Sequence, residues 1–312
     1  MALDRSHSPD RLGAVLSLLP VVSGRPRTLC CHSAVLSGTF VPNSLAAVDE
    51  CVRASVPRLE VDVRFLADDA MIVYHGSVLD GETTGTGKVS DLDYASARGI
   101  HYLKDLSSPL CSLDDVVALL RPADTILQVD LKLLRPITAT RLRNLREALL
   151  PLGDRALVGS QAHWNLRPIA EAGFRVGFDP TMQWHFSPER GLGFFPDTMG
   201  VYGMWDDAPI AHNRHFTPRQ YFETRTADIL GLLPGAVEWM VDIGTIRHMA
   251  GLGFLLGDEL AKRGVELAAW TLHDAGPEQT TKHLLDVCSA GAATIITPDP
   301  VAVLRYLGPG TV

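Results

Sequence analysis

Two carboxylates in an apolar segment are the first sign of chemistry in this sequence. In PRLEVDVRF (57–65), Glu60 and Asp62 alternate with apolar residues, so both side chains point to the same face of a predicted strand. Unpaired charges placed together in a core would cost several kcal/mol each. We therefore expect a positive partner beside Glu60 and Asp62.

Further ionisable side chains stand at the ends of other predicted strands. Asp130 and Lys132 lie two residues apart in TILQVDLK (125–132), and His32 and His75 end two more apolar runs. The carboxyl ends of parallel barrel strands face one mouth, so we expect these groups to converge there. So much charge in one place is not typical of a core.

The composition of this cluster indicates a metal. Three carboxylates with no cysteine among them favour Mg²⁺ or Ca²⁺ over zinc, so Glu60, Asp62 and Asp130 are the candidate ligands. Lys132 would attract an anion such as a phosphate, and the two histidines would act as acid and base around phosphorus. Each histidine alone also fits a plain core or surface role, and Lys132 with Asp130 fits a simple ion pair.

The elements that must position these groups alternate between strand and helix patterns along the whole chain. Helical segments with apolar spacing near 3.6 separate the apolar runs, which is the pattern of βα units around a parallel sheet. We predict an α/β fold, a (β/α)₈ TIM barrel, as one domain over 1–312. The predicted barrel strands are 28–34, 58–65, 125–132, 156–161, 174–179, 237–242, 265–272 and 293–298, with a hairpin return at 71–75.

Two connections are too long for plain loops: 76–112, and 180–236 between the fifth and sixth predicted strands. Residues 180–236 are rich in aromatic and histidine side chains, which argues against disorder. We predict that this insertion is a lid over the barrel mouth. A packed peripheral subdomain or a dimer contact is the alternative.

The composition of the whole chain excludes several classes of partner. A net charge of −8 and the lack of a dense Lys/Arg run argue against nucleic-acid binding. No segment approaches the roughly 18 apolar residues of a membrane span, and no clear secretory signal is present, so we expect a cytoplasmic protein with no membrane partner. The five cysteines form no CxxC pair and are expected to be reduced thiols.

At these residues the sequence resembles the glycerophosphodiester phosphodiesterase family, of the phospholipase-C-like phosphodiesterase superfamily. The resemblance covers most of the chain and makes it an atypical member. It rests on His32, Asn43 and Leu45 in CHSAVLSGTFVPNSLAAV (31–48), Glu60-Val61-Asp62-Val63, His75-Gly76 followed by TTGTGKVSDLDYASARG (83–99), Asp130-Leu131-Lys132, AAWTLHD (268–274) and GAATIITPDP (291–300).

The resemblance implies a function and a role for each site residue. It implies a metal-dependent hydrolysis of a small soluble glycerophosphodiester to an alcohol and a phosphomonoester, through a cyclic phosphate that water opens. The implied roles are metal binding by Glu60, Asp62 and Asp130, acid and base catalysis by His32 and His75, phosphate binding by Lys132 and a place on the pocket floor for Trp270.

The departures from the family pattern concern charge. Ser33 stands where the family has an arginine and Pro42 where it has a glutamate, so we infer that an interacting pair has been lost as a unit. His163, after the fourth predicted strand, is our candidate to reach the phosphate in place of that arginine. His75-Gly76 and the Asp-x-Lys at 130–132 are also similar to the sphingomyelinase D-like branch, whose product stays cyclic.

Four alternatives to the leading function stay open from the sequence. The first two are a sugar phosphodiesterase with an agrocinopine-like substrate and a lyase that releases the cyclic phosphate. The others are a non-catalytic phosphodiester binder and a sugar-phosphate isomerase or aldolase. The filled acidic and histidine positions favour an enzyme over a binder, and Lys132 in a metal site fits a Schiff-base role badly. The sequence predicts no oligomeric state.

Overall fold

The computed structural model of the protein describes residues 27–184 and 217–307. The described strands are β1 (Thr28–Cys31), β2 (Arg58–Phe65), β3 (Met71–Val73), β4 (His101–Tyr102), β5 (Asp105–Pro109), β6 (Cys111–Ser112), β7 (Ile126–Leu131), β8 (Ala156–Ser160), β9 (Arg175–Phe178), β10 (Ala236–Asp242), β11 (Glu266–Trp270) and β12 (Thr294–Thr297). The described helices are α1 (Leu45–Arg53), α2 (Tyr94–Ala97), α3 (Leu113–Leu120), α4 (Ala139–Leu149), α5 (His163–Glu171), α6 (Pro218–Leu232), α7 (Ile243–Gly251), α8 (Leu256–Ala261), α9 (Pro277–Ser289) and α10 (Pro300–Leu307).

Eight parallel strands close into a barrel, which confirms the predicted (β/α)₈ fold. The strand order is β1-β2-β7-β8-β9-β10-β11-β12, and β12 pairs with β1 to complete the ring. β3 continues from β2 as an antiparallel hairpin and pairs in turn with β6. All eight predicted barrel strands are present, with small differences at their ends.

The largest difference lies at the end of the first strand, which was predicted to run to residue 34. β1 stops at Cys31, and His32–Ala34 form a 3₁₀ turn. Ser33 and Ala34 have φ values of 50° and 55°, in the left-handed region that a strand cannot include. A contact between Ser33 and β2, described below, accounts for this turn.

The barrel interior is closed below its mouth by a polar layer and an apolar layer. The guanidinium of the buried Arg58 donates to both carboxylate oxygens of Glu238, at 2.6 and 2.8 Å, and to the side-chain oxygen of Gln128. Met240 packs beside them and against Gly177, where a Cβ would lie 2.3 Å from the Met240 methyl group. The barrel is therefore a packed core and not a pore.

The predicted insertion 180–236 is only partly described. Its first residues form a 3₁₀ turn, Thr181–Gln183, and the buried Trp184 packs edge-on against Trp239 with ring centroids 5.7 Å apart. Its last part is α6, the helix between β9 and β10, with Phe222 buried in the main core. Residues 185–216, with His185, His212 and His215, lie outside the described residues, so the lid stays a prediction.

In the described part of the chain, no helix combines the length and the apolar character needed to cross a membrane. The predicted cytoplasmic location stays a prediction.

Candidate active site

A cavity of about 500 Å³ opens at the carboxyl ends of the barrel strands. Most of the predicted site residues meet there, because they lie in or directly after strands whose carboxyl ends face this mouth. Among the residues that line the cavity are His32, Glu60, Arg64, His75, Asp130, Lys132, Gln161, Asp179 and Trp270. Asp62 lies within 3.0 Å of the lining residue Lys132.

The three predicted metal ligands come together on β2 and β7. Asp62 and Asp130 are register partners on these two neighbouring strands, and Glu60 lies two residues before Asp62 on the same inward face. One carboxylate oxygen from each residue lies within 4.8 Å of the others. Glu60 and Asp62 are almost fully buried, whereas the side chain of Asp130 is about one third exposed.

Backbone and amide groups from the connection after β1 hold the two buried carboxylates. The Ser33 N–H donates to Glu60 Oε2 at 2.7 Å, and this contact explains why the chain turns after His32. The Asn43 side chain pairs twice with Asp62: Nδ2 donates to Asp62 Oδ2 at 2.8 Å, and Oδ1 accepts from the Asp62 backbone N–H at 3.0 Å. The acidic cluster is therefore fixed before any ligand binds.

Lys132 is the positive partner that the sequence required for two of these carboxylates. Its Nζ lies 2.6 Å from Asp130 Oδ2 and 3.0 Å from Asp62 Oδ1. Burial opposes the charge on Lys132, but Asp130 and Asp62 prevail and raise the pKa of Lys132. Burial likewise opposes the charge on Asp62, yet Lys132 and other donors hold the pKa of Asp62 below its usual value.

The remaining charge fits a divalent cation. With all three carboxylates ionised, one ammonium would leave two negative charges unbalanced in the cluster. The effect is strongest at Glu60: burial, followed by the charges of Asp62 and Asp130, raises the pKa of Glu60 well above its usual value. Within the described residues, the buried Glu60 Oε1 has no hydrogen-bond partner. Hard oxygen donors with a net charge of this sign match Mg²⁺ or Ca²⁺.

The two predicted catalytic histidines flank the cluster. His32 Nε2 lies 3.8 Å from Glu60 Oε2, and one third of the His32 side chain is exposed. Burial lowers the pKa of His32; the charge of Asp62 opposes this shift and that of Lys132 adds to it. His75, after β3, is exposed and lines the cavity. Its backbone oxygen accepts two hydrogen bonds from Arg64, which anchors the chain at this point.

Two further predicted residues have different outcomes. Trp270, at the end of β11, lines the cavity. His163 is not among the lining residues: it begins α5, and its ring packs edge-on against Phe178 and Trp164 at centroid distances of 5.9 and 5.1 Å. The structure therefore does not bring His163 to the other site residues, because the apolar contacts of α5 hold it.

Sequence reasoning missed two charged residues of the cavity. Arg64 continues the alternation that identified Glu60 and Asp62, so the same pattern would have found it. Asp179 follows β9, where its carboxylate accepts hydrogen bonds from Gln161 Nε2 and the Thr181 N–H, each at 2.9 Å. Burial raises the pKa of Asp179 to about 6, although these hydrogen bonds oppose the shift.

Comparison with known proteins places this architecture in a family. Residues 36–190 match the model of the glycerophosphoryl diester phosphodiesterase family. A 59-residue stretch is 32% identical to glycerophosphodiester phosphodiesterase 1 of Bos taurus. That match covers 19% of this chain and only 18% of the bovine protein.

Solved structures share the fold over nearly the whole chain. Their sequence identities are low, so they show the fold alone. A Galdieria sulphuraria protein assigned to the glycerophosphodiester phosphodiesterases has a TM-score of 0.64 at 13% identity, covering 91% of this chain and 98% of that one. An Oleispira antarctica phosphodiesterase, in complex with the product sn-glycerol-3-phosphate, has a TM-score of 0.59 at 13% identity, with the same coverage. An Agrobacterium tumefaciens glycerophosphodiester phosphodiesterase has a TM-score of 0.57 at 16% identity, covering 89% and 99%. With the barrel and the acidic cluster in agreement, the match over residues 36–190 assigns this part of the chain to the glycerophosphoryl diester phosphodiesterase family.

Proposed function

We propose that this protein is a metal-dependent phosphodiesterase that hydrolyses a small soluble glycerophosphodiester to an alcohol and a phosphomonoester. The observation that carries the proposal is the acidic cluster of Glu60, Asp62 and Asp130 beside two histidines in one cavity. The presence of sn-glycerol-3-phosphate as a product in the Oleispira antarctica structure supports the same substrate class.

Glu60, Asp62 and Asp130 would hold the metal, Mg²⁺ or Ca²⁺. When bound, the metal would supply positive charge to the phosphate oxygens, where negative charge builds up in the transition state. Lys132 would have two roles: its ammonium pairs with Asp62 and Asp130, and it lines the cavity where the phosphate would bind. The Ser33 N–H and the Asn43 side chain keep the carboxylates oriented while substrate and product exchange.

The histidines would move the protons of two successive steps. In the first step, a free hydroxyl of the substrate alcohol forms a bond to phosphorus and gives its proton to one histidine. The ester bond to the other alcohol breaks, and the second histidine protonates the leaving oxygen. In the second step, water opens the cyclic phosphate with the two histidines in exchanged roles, which yields the phosphomonoester and restores both rings.

One observation favours a second candidate substrate class. Gln161 and Asp179 line the same cavity as Trp270 and offer hydrogen-bond partners and a stacking surface. Such a surface suits a polyol, so a sugar phosphodiester is the alternative substrate. Neither histidine nor any acidic ligand is missing, so we do not favour a non-catalytic binder.

The test is ³¹P NMR of the purified protein with Mg²⁺ or Ca²⁺ and a panel of glycerophosphodiesters and sugar phosphodiesters. We expect a phosphomonoester resonance to grow from one member of the panel, which identifies the substrate class at the same time. A cyclic phosphate that persists would replace hydrolysis by the lyase reaction. If no resonance changes with either metal, the proposed function is wrong.

A further inference from the structure

The cavity needs a cation that is not already committed to a carboxylate. A phosphodiester is an anion, and binding it next to an acidic cluster requires positive charge that can face it. The ammonium of Lys132 already contacts Asp130 and Asp62. Ser33 is neutral, and its donors already point at the acidic cluster: the backbone N–H donates to Glu60 and the hydroxyl donates to Asp62 at 3.4 Å.

Arg64 lines the same cavity as Lys132, but its charge is not paired with a carboxylate of the described residues. It lies two residues after Asp62 on the inward face of β2, and it lines the cavity with His75 and Lys132. Among the residues that the structure describes, no carboxylate forms an ion pair with Arg64, which donates hydrogen bonds to the backbone oxygen of His75.

The orientation of the guanidinium is fixed by one of its edges. Arg64 Nε and Nη2 donate to the His75 oxygen at 3.0 and 2.7 Å, which uses two of the five N–H donors. The opposite edge keeps the remaining three donors for a ligand. A guanidinium held in this way loses little conformational freedom when it binds an oxyanion with two parallel hydrogen bonds.

We propose that Arg64 binds the phosphate group of the substrate, as the second cation of the cavity beside Lys132. This inference rests on the proposed function, because it assigns the anion subsite of the same reaction. Arg64 then has two tasks at once: one edge holds the chain that carries His75, and the other edge receives the phosphate oxygens. The ligand class is an oxyanion of the phosphate type.

The two tasks can be separated by substitution. In the Arg64→Gln variant, the side-chain amide keeps donors for the His75 oxygen but loses the charge, whereas Arg64→Lys keeps the charge but loses the planar pair of donors. Arg141→Gln is the matched control: Arg141 is also a partly buried arginine next to β2 that donates to a backbone oxygen, that of Leu66, but it lies outside the cavity and pairs with Asp69.

The experiment measures binding of inorganic phosphate by calorimetry, with no turnover required, and checks the thermal stability of every variant. We expect Arg64→Gln to weaken phosphate binding about tenfold or more, Arg64→Lys to weaken it less, and Arg141→Gln to leave it unchanged. Wild-type affinity in a folded Arg64→Gln variant would overturn the proposal and leave Arg64 as a support for His75 alone. Failure of the wild-type protein to bind phosphate would overturn it as well.

Failure of this inference is distinguishable from failure of the proposed function. If phosphate binding depends on Arg64 but no phosphodiester is consumed, the proposed anion subsite is supported and the proposed hydrolytic activity is wrong. If phosphodiesters are consumed while Arg64→Gln binds phosphate normally and has an unchanged KM, the proposed hydrolytic activity is supported and the proposed anion subsite is wrong.

Discussion

The buried carboxyl group of Glu60 is only half satisfied by the residues around it. Its Oε2 accepts the Ser33 N–H, while its buried Oε1 has no partner among the described residues. A buried carboxyl with like charges nearby resists ionisation, so the pKa of Glu60 is raised. A cation ligated by this group would reverse that balance, which is the residue-level argument for the metal.

The two histidines are expected to be essential to turnover and dispensable for folding. His32→Ala and His75→Ala should each lower kcat by about 10²-fold or more, because positioned acid–base groups typically supply that much. Steady-state kinetics on the substrate found by NMR measures this effect. His283→Ala, on α9 and outside the cavity, is the control. A folded His32→Ala or His75→Ala variant with the kcat of the wild type would exclude that histidine from the proton transfers.

Asp179 makes stability depend on pH in an unusual direction. Its pKa is about 6 in the folded protein, above the roughly 3.9 of an unfolded aspartate. Between these values the folded state holds more protons, so stability falls as the pH rises from about 4 to 6 and stays lower above that. After allowance for partial exposure, the penalty at neutral pH is about 1–2 kcal/mol.

Replacement of Asp179 by asparagine removes this dependence. Relative to the wild type, Asp179→Asn should gain stability as the pH increases from 4 to 7, which urea unfolding at several pH values measures directly. A difference between the two proteins that is constant across this range would contradict the raised pKa. Glu171→Gln, an exposed change at the end of α5, controls for general effects of charge removal.

At the level of elements, the connection between β1 and α1 positions the acidic cluster. Ser33, Ala34 and Asn43 all have positive φ values, which residues other than glycine adopt at a cost. In return the connection delivers the Ser33 N–H to Glu60 and the Asn43 amide to Asp62. The local strain is thus balanced by hydrogen bonds to strand β2.

Asn43→Ala is expected to lower the free energy of unfolding by about 2–4 kcal/mol. The change leaves the Asp62 backbone N–H and a buried carboxylate oxygen without their partner, and it places alanine at a φ of 62°. Chemical denaturation measures the loss. Asn43→Gly removes the same hydrogen bonds without the backbone strain, so it should lose about 1 kcal/mol less; equal stability of Asn43→Ala and the wild type would refute this role.

The point at which β1 ends and this connection begins could not be predicted from the sequence. Alternating apolar residues located β2 and β7 within one residue of their observed ends. The end of β1 was wrong by three residues, because Ser33 turns to meet Glu60, which is 27 positions later. A contact between residues so far apart leaves no local signal in the sequence.

For the whole molecule, the barrel was predictable because every βα unit repeats the same hydrophobic pattern. The convergence of the acidic side chains with His32 and His75 was predictable because the carboxyl ends of barrel strands meet at one mouth. The pairing of Lys132 with Asp62 and the Arg58–Glu238 pair, whose members are 180 residues apart, required the three-dimensional structure. His163 was expected near the phosphate, whereas the apolar packing of α5 keeps its ring beside Phe178.

The central claim is that the cluster of Glu60, Asp62 and Asp130 binds the divalent cation on which hydrolysis depends. The most direct measurement follows phosphomonoester release before EDTA treatment, after it, and after Mg²⁺ or Ca²⁺ is restored, in the wild type and in Glu60→Gln. We predict loss of activity in chelator and recovery with metal for the wild type, and at least about 10²-fold lower activity at every metal concentration for a folded Glu60→Gln. Full activity in chelator, or a Glu60→Gln variant that the metal restores to wild-type rates, would contradict the claim.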